Sequence, residues 1–306
     1  MHCPSWLWPL LCKRYLPSEL TNPSMRSGLK FIGKRWPDLP TSESTPIFIL
    51  SAGWRSGSTL LQRLVSSNPK VLIWGEPYDH ALLFNQLSLP LGAFHAKWPL
   101  DRWFATSDTS NLTRSFIANY YPPMQELKKA HYAFMRALFE SPAASLGRPI
   151  WGVKTVRQAT ISRYLKWLYP KAKFLYLIRN PYNAYKSLKK ILGYSRVTLF
   201  LRWPDYIVST AAAFAVLWRF CLESFLRDSE ATGAIFISYE ALLNDPAMFE
   251  KLQSYLNLEL DRDVLNIRAD FQHSSHEESK ITLKERAIIR FVAGEFASLL
   301  GYHWKS

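Results

Sequence analysis

SAGWRSGSTLLQRL, residues 51–64, follows directly on the apolar run Ile47-Phe48-Ile49-Leu50. An apolar strand, a turn rich in Gly and Ser, and a helix with Leu60, Leu61, Leu64 and Val65 on one face predict the strand–turn–helix unit in which proteins hold phosphate. Gly57 can take backbone angles that aim successive amides into one concavity. The helix adds free N–H groups and the positive end of its dipole. Ser58 and Thr59 offer hydroxyls, and Arg55 a forked cation suited to an anionic oxygen. The lysine that such loops use to grip a nucleoside triphosphate is missing, because Ser58 follows Gly57. Taken alone, the stretch reads equally as an ordinary strand-to-helix turn capped by Ser or Thr.

Outward from this unit, apolar runs at 71–74, 150–154, 174–178 and 234–238 read as further strands. Helical patterns at 58–67, 124–140, 162–169, 183–192, 206–227, 240–255 and 283–300 separate or follow them. Asn68-Pro69 ends the first helix, since the residue before proline is pushed out of helical angles. Strands alternating with helices, without long hairpins, predict an α/β fold: a P-loop-like, three-layer arrangement with a central parallel sheet flanked by helices. Residues 1–45, rich in Pro, Ser and basic residues, read as an irregular N-terminal extension. Residues 46–306 read as a single domain, with an irregular, partly helical insertion at about 78–149.

The chain has 306 residues and a formal charge of +14. That charge implies an anionic partner or a basic but non-specific surface. Cys3, Cys12 and Cys221 are scattered, with no CxxC pair, which suggests a reducing compartment and no zinc site. No run reaches the roughly 18 apolar residues of a spanning helix. The apolar run from Trp6 to Cys12 is interrupted by Pro9 and lacks the flanks of a signal peptide. Two readings stand for it: a tail tucked onto the domain, or weak contact with a membrane surface through Trp6 and Trp8.

In parallel sheets ligands sit outside the carboxyl ends of the strands, so the strand exits carry the functional reading. Arg179-Asn180-Pro181 follows the fourth strand, with Ser187 eight residues after Arg179, where an ATPase places a magnesium-binding aspartate. One cation and one hydroxyl there suit a second phosphate. Lys154 ends the third strand and points at the same edge. Gly75-Glu76-Pro77 closes the second, and Glu76 could accept a proton from a substrate hydroxyl. Asp79 and His80 are fallback bases. Each residue alone has an ordinary alternative as a cap, an ion-pair partner or a solvated edge residue.

Together, GWRSGSTLLQRL and LIRNPYNAYKS resemble the two donor-binding motifs of sulfotransferases that use 3'-phosphoadenosine-5'-phosphosulfate (PAPS). The first is similar to the RSGTTL or RSGSTLL loop of protein-tyrosine and carbohydrate sulfotransferases. The resemblance covers about residue 46 to the C-terminus and is weakest from 78 to 149. It implies that Arg55, Ser56, Gly57, Ser58 and Thr59 hold the 5'-phosphosulfate and that Arg179 and Ser187 bind the 3'-phosphate. Tyr239, in ISYEALL, and Lys280, in ESKIT, would lie near the nucleotide. Glu76 would be the general base, with Arg55 and Lys154 stabilising charge in flight. The histidine base of cytosolic small-molecule members has no counterpart here, which favours Glu76. The resemblance implies PAPS as donor and PAP as product, no metal, and a hydroxyl-bearing acceptor: a carbohydrate or glycolipid, or else another lipid or a peptide. The missing signal-peptide pattern and membrane anchor depart from Golgi-resident relatives and lead to the expectation of a bacterial-type cytoplasmic enzyme; the basic residues are spread along the chain without a recognition motif, so no nucleic-acid partner is expected. The competing readings are a P-loop kinase or NTPase, which would need GK[ST] and a magnesium site, and a non-catalytic nucleotide-binding module.

Overall fold

The structure is a computed structural model that describes residues 2–16, 24–105, 113–114, 119–192, 201, 207–267 and 280–302. Helices α1 (Leu7–Tyr15) and α2 (Ser24–Arg35) lead into β1 (Ile47–Ser51), α3 (Ser58–Val65) and β2 (Val71–Trp74). The chain continues through α4 (Leu83–Ser88), α5 (Met124–Met135) and α6 (Ser141–Ser145) to β3 (Ile150–Thr155). Next come α7 (Ser162–Leu168), β4 (Lys173–Ile178), α8 (Pro181–Leu192), α9 (Ala211–Thr232) and β5 (Ile235–Ser238). Helices α10 (Tyr239–Asn244), α11 (Pro246–Leu256) and α12 (Leu283–Leu299) follow.

All five strands join one parallel sheet in the order β2-β3-β1-β4-β5. Successive side chains of a strand point to opposite faces, and every residue of β1 is buried. Phe48 and Leu50 enter a core shared with Trp151, Phe174, Phe214 and Trp218. Ile47 and Ile49 enter a second core with Leu61 and Leu64 of α3 and Phe249 and Leu252 of α11. A strand apolar on both sides needs helices on both, which is why the architecture has three layers.

The strand order also fixes the ligand crevice. From β1 the chain moves outward to β2 and returns to β3; from β4 it moves the opposite way to β5. The reversal therefore falls between β1 and β4, where open α/β sheets bind ligands at the carboxyl ends of their strands.

Three sequence expectations need correction. Within the N-terminal extension, expected to be irregular, Leu7–Tyr15 and Ser24–Arg35 are helical, because tertiary contacts override a composition poor in helical signal. In α2, Met25, Gly28 and Ile32 are buried, and a Cβ at Gly28 would stand 1.8 Å from the Leu91 carbonyl oxygen. Only a bare backbone allows that approach. Arg26 also pairs with the buried Asp228 at 2.8 Å. The helix expected over 240–255 is two helices, since Asp245 caps Ala247 at 2.9 Å and Pro246 opens α11. The helix expected over 206–227 runs from Ala211 to Thr232 and stops at Gly233, with φ 66°; residue 206 lies outside the described residues. Among the described residues, no helix is long and apolar enough to cross a membrane.

Candidate functional site

The loop between β1 and α3 is bent by three residues with positive φ: Gly53 (80°), Arg55 (62°) and Gly57 (92°). For Arg55 this conformation costs on the order of 1–2 kcal/mol, the kind of outlier that clusters at ligand clamps. Alternating left-handed residues turn neighbouring amides into a concave nest. Ser56 Oγ donates to the Gly53 carbonyl at 3.0 Å and pins the turn. Gly57 is required as well as permitted: a Cβ there would lie 2.1 Å from Cδ2 of Tyr239. Ser58 is buried at the first turn of α3, and Thr59 is exposed.

Across the crevice, Arg179 leaves the end of β4. Its Nη1 donates to the Arg55 carbonyl at 2.8 Å, and its guanidinium carbon sits 4.3 Å from the Tyr239 ring centre. Arg55 Nε donates to Ser187 Oγ at 3.0 Å. The glycine turn, both arginines, Ser187 and Tyr239 thus form one cluster at the switch point of the sheet. Neighbours hold Arg179 in place: Trp218 Nε1 donates to its carbonyl at 3.0 Å. Asn180 caps α8, its Oδ1 accepting from the Tyr182 amide at 3.0 Å, while its own amide donates to Glu240.

The electrostatics of this cluster favour an anion. Burial, and then the adjacent Arg179 guanidinium, pull Arg55 down from its ordinary value, as expected when two cations share one crevice. Arg179 Nε is buried and has no hydrogen-bond partner among the described residues. Buried polar atoms are nearly always satisfied, so an orphan beside a nest of amides fits a group that brings oxygen acceptors. The residues present therefore fit a phosphorylated ligand.

The other side of the rim carries the acids. Lys154 Nζ pairs with Glu76 Oε1 at 2.8 Å, and Arg157 Nη2 lies 3.7 Å from Glu76 Oε2. Arg157 Nε pairs with Asp79 at 3.2 Å, and its guanidinium carbon is 4.8 Å from the Trp54 ring of the loop. Asp79 is buried and also accepts from Thr155 Oγ1 at 2.6 Å and from the Gln158 side-chain amide. So thoroughly bound a carboxylate is an anchor for the turn after β2. Burial pushes its carboxyl above the ordinary value even against Arg157, yet both oxygens are already held by protein donors and neither is free for a substrate hydroxyl, which corrects its reading as a fallback base. His80 is exposed. Arg157 is the residue that sequence reasoning missed; its only signal was a second cation three residues beyond Lys154.

Lys280 is exposed, and its carbonyl accepts at 2.9 Å from Nζ of Lys189, two residues beyond Ser187 on α8.

A sequence profile described as "Sulfotransferase family" matches residues 46–262. The chain belongs to the sulfotransferase family. No curated protein matches it. Among solved structures, similar chains include the sulfotransferase domain from the Synechococcus PCC 7002 olefin synthase, at 17% identity and TM-score 0.46, covering 87% of this chain and 98% of that one. Sulfotransferase STF9 from Mycobacterium avium matches at 16% identity and TM-score 0.42, covering 98% and 97%. Mouse sulfotransferase SULT7A1 complexed with PAP matches at 14% identity and TM-score 0.36, covering 83% and 67%. Family membership rests on the profile match and not on these low-scoring likenesses.

Proposed function

We propose that this sulfotransferase takes its sulfuryl group from PAPS and passes it to a hydroxyl of a carbohydrate or glycolipid acceptor. The observation that carries the donor assignment is the single cluster formed by the Gly57 turn, Arg55, Arg179 and Ser187, with the orphaned Arg179 Nε inside it. On this reading the amides and hydroxyls from Ser56 to Thr59 hold the 5'-phosphate, Arg179 and Ser187 hold the 3'-phosphate, and Tyr239 backs both. Lys280 would reach the donor from the exposed edge. Bound PAPS supplies a sulfur already joined to a phosphate oxygen that leaves as an anion.

Glu76 accepts the acceptor's hydroxyl proton as the new oxygen–sulfur bond forms and the old one breaks. Its pairing with Lys154 holds the carboxylate in one orientation and sets a cation beside the path of the moving charge. Arg55 receives the negative charge that accumulates on the leaving phosphate. The acceptor preference is supported by exposed aromatic surface in the 78–149 insertion. Trp98 is 42% exposed, and its ring centre lies 4.4 Å from that of Trp103; flat rings of this kind pair well with sugar rings.

Calorimetric titration with PAP, together with transfer of labelled sulfate from PAPS to panels of glycans, glycolipids, lipids and peptides, tests the reading. PAP should bind, and a sugar-bearing panel member should take up label. Absence of PAP binding, or transfer from ATP that EDTA abolishes, would overturn the donor assignment. Label appearing only on peptides would overturn the acceptor class.

A further inference from the structure

Helix α1 has two chemically distinct faces. Inward, Trp8, Leu11, Cys12 and Tyr15 pack against the larger core. The Trp8 ring lies 4.2 Å from the Arg219 guanidinium carbon, and its Nε1 donates to Glu223 at 3.1 Å. Trp8 thus fastens α1 to α9, and the same guanidinium, 5.1 Å from the Phe296 ring, ties α9 in turn to α12. Outward, Trp6 is 70% exposed and Leu10 57%, and Pro9, Lys13 and Arg14 are exposed with them. Trp6, Leu10 and Lys13 follow one another at helical spacing along one stripe.

Single exposed apolar residues are ordinary on protein surfaces. This stripe is different because an indole, an aliphatic side chain and two cations are ordered along one short helix that Trp8 holds rigidly. Indole rings favour the boundary between hydrocarbon and water, where the apolar body and the N–H are both accommodated. Lysine and arginine stems lie along apolar surface while their heads reach anionic phosphates. Charge decides between occupants. A second copy of this chain would bring another +14, whereas an anionic lipid surface answers that charge. At nine residues the helix is about 13 Å long, enough to lie in a headgroup layer and too short to cross a bilayer.

We propose that the outer face of α1, formed by Trp6, Leu10, Lys13 and Arg14, docks the protein on an anionic lipid surface. The full chain should co-sediment with phosphatidylcholine vesicles containing phosphatidylserine and much less with phosphatidylcholine alone. Rising salt should release it. The charge reversal K13E/R14E should cut binding roughly 25-fold or more, each cation being worth about fivefold at such a surface. The apolar change W6S/L10S should also weaken binding several-fold while leaving the thermal midpoint unchanged, since both side chains already face solvent. Protein that stays in the supernatant with anionic vesicles would overturn the proposal. So would vesicle binding that both double variants retain in full. Concentration-dependent dimers in sedimentation velocity that W6S/L10S abolishes would assign the face to a second copy instead.

Discussion

The two halves of the sheet rim solve opposite electrostatic problems. At the exits of β1 and β4, Arg55 and Arg179 are held side by side, and one buried guanidinium nitrogen has no acceptor among the described residues. At the exits of β2 and β3, Lys154 meets Glu76 and Arg157 meets Asp79, so charges are matched within the protein. The first half tolerates backbone strain at Arg55 and a charge repulsion that an incoming anion would relieve. The second is complete without a ligand and holds one carboxylate in a fixed orientation. On the proposed function the first half binds and the second orients, and substitutions should separate them likewise.

The largest effect is expected at the orienting half. Glu76→Gln should lower turnover by about 10²–10⁴-fold, the usual share of proton transfer, while PAP affinity measured by calorimetry stays within twofold. Near-normal turnover would remove Glu76 as the base. Asp79→Asn should act on stability, because it leaves Arg157 buried beside a neutral group. A loss of about 3 kcal/mol in urea unfolding is expected, the scale for breaking a buried ion pair. A loss confined to a few tenths would mean that Glu76 alone can satisfy Arg157.

At the binding half, Arg179→Ala should weaken PAP roughly 10- to 100-fold, since a charge-assisted contact contributes about 1.5–3 kcal/mol. It should change the rate at saturating donor much less than Glu76→Gln does. A smaller effect reaches this half from outside. Lys189, on the same helix as Ser187, pairs at 2.8 Å with Glu285, which is also the capping-box residue of α12. Burial would raise the Glu285 carboxyl, but hydrogen bonds from Lys189 and Thr282 outweigh that and hold it below its ordinary value. A depressed carboxylate stabilises the fold above its unfolded pKa and loses that contribution as pH falls through the folded one. Glu285→Gln should therefore cost under about 1 kcal/mol at pH 7 for this partly exposed pair. The cost should begin to shrink near the ordinary value of 4.5 and vanish only once the pH falls below the depressed folded value. A cost that persists at low pH would make the pair irrelevant.

What could be read from the sequence follows the range of each interaction. The β1–α3 unit and the exits at Arg179 and Lys154 are legible because apolar runs and turn residues lie within a few positions of one another. The Arg157–Asp79 pair joins residues 78 positions apart, and no periodicity marks it. Helices α1 and α2 escaped for the same reason. Pro9 and Gly28 argue against helix locally, and the forces that favour it come from Arg219, Leu91 and Asp228, far along the chain. The break at Asp245-Pro246 was legible as a cap followed by a first-turn proline, but the surrounding helical pattern concealed it.

The strand order acts as a ruler. Neighbouring strands in a sheet are spaced about 4.8 Å apart, and Glu76 follows a strand two places to one side of β1 while Arg179 follows a strand one place to the other. That separation is set by backbone ladders, which side-chain replacement cannot stretch. Evolution, or an engineer, could remodel the turn after β2 without altering the pitch between the two exits.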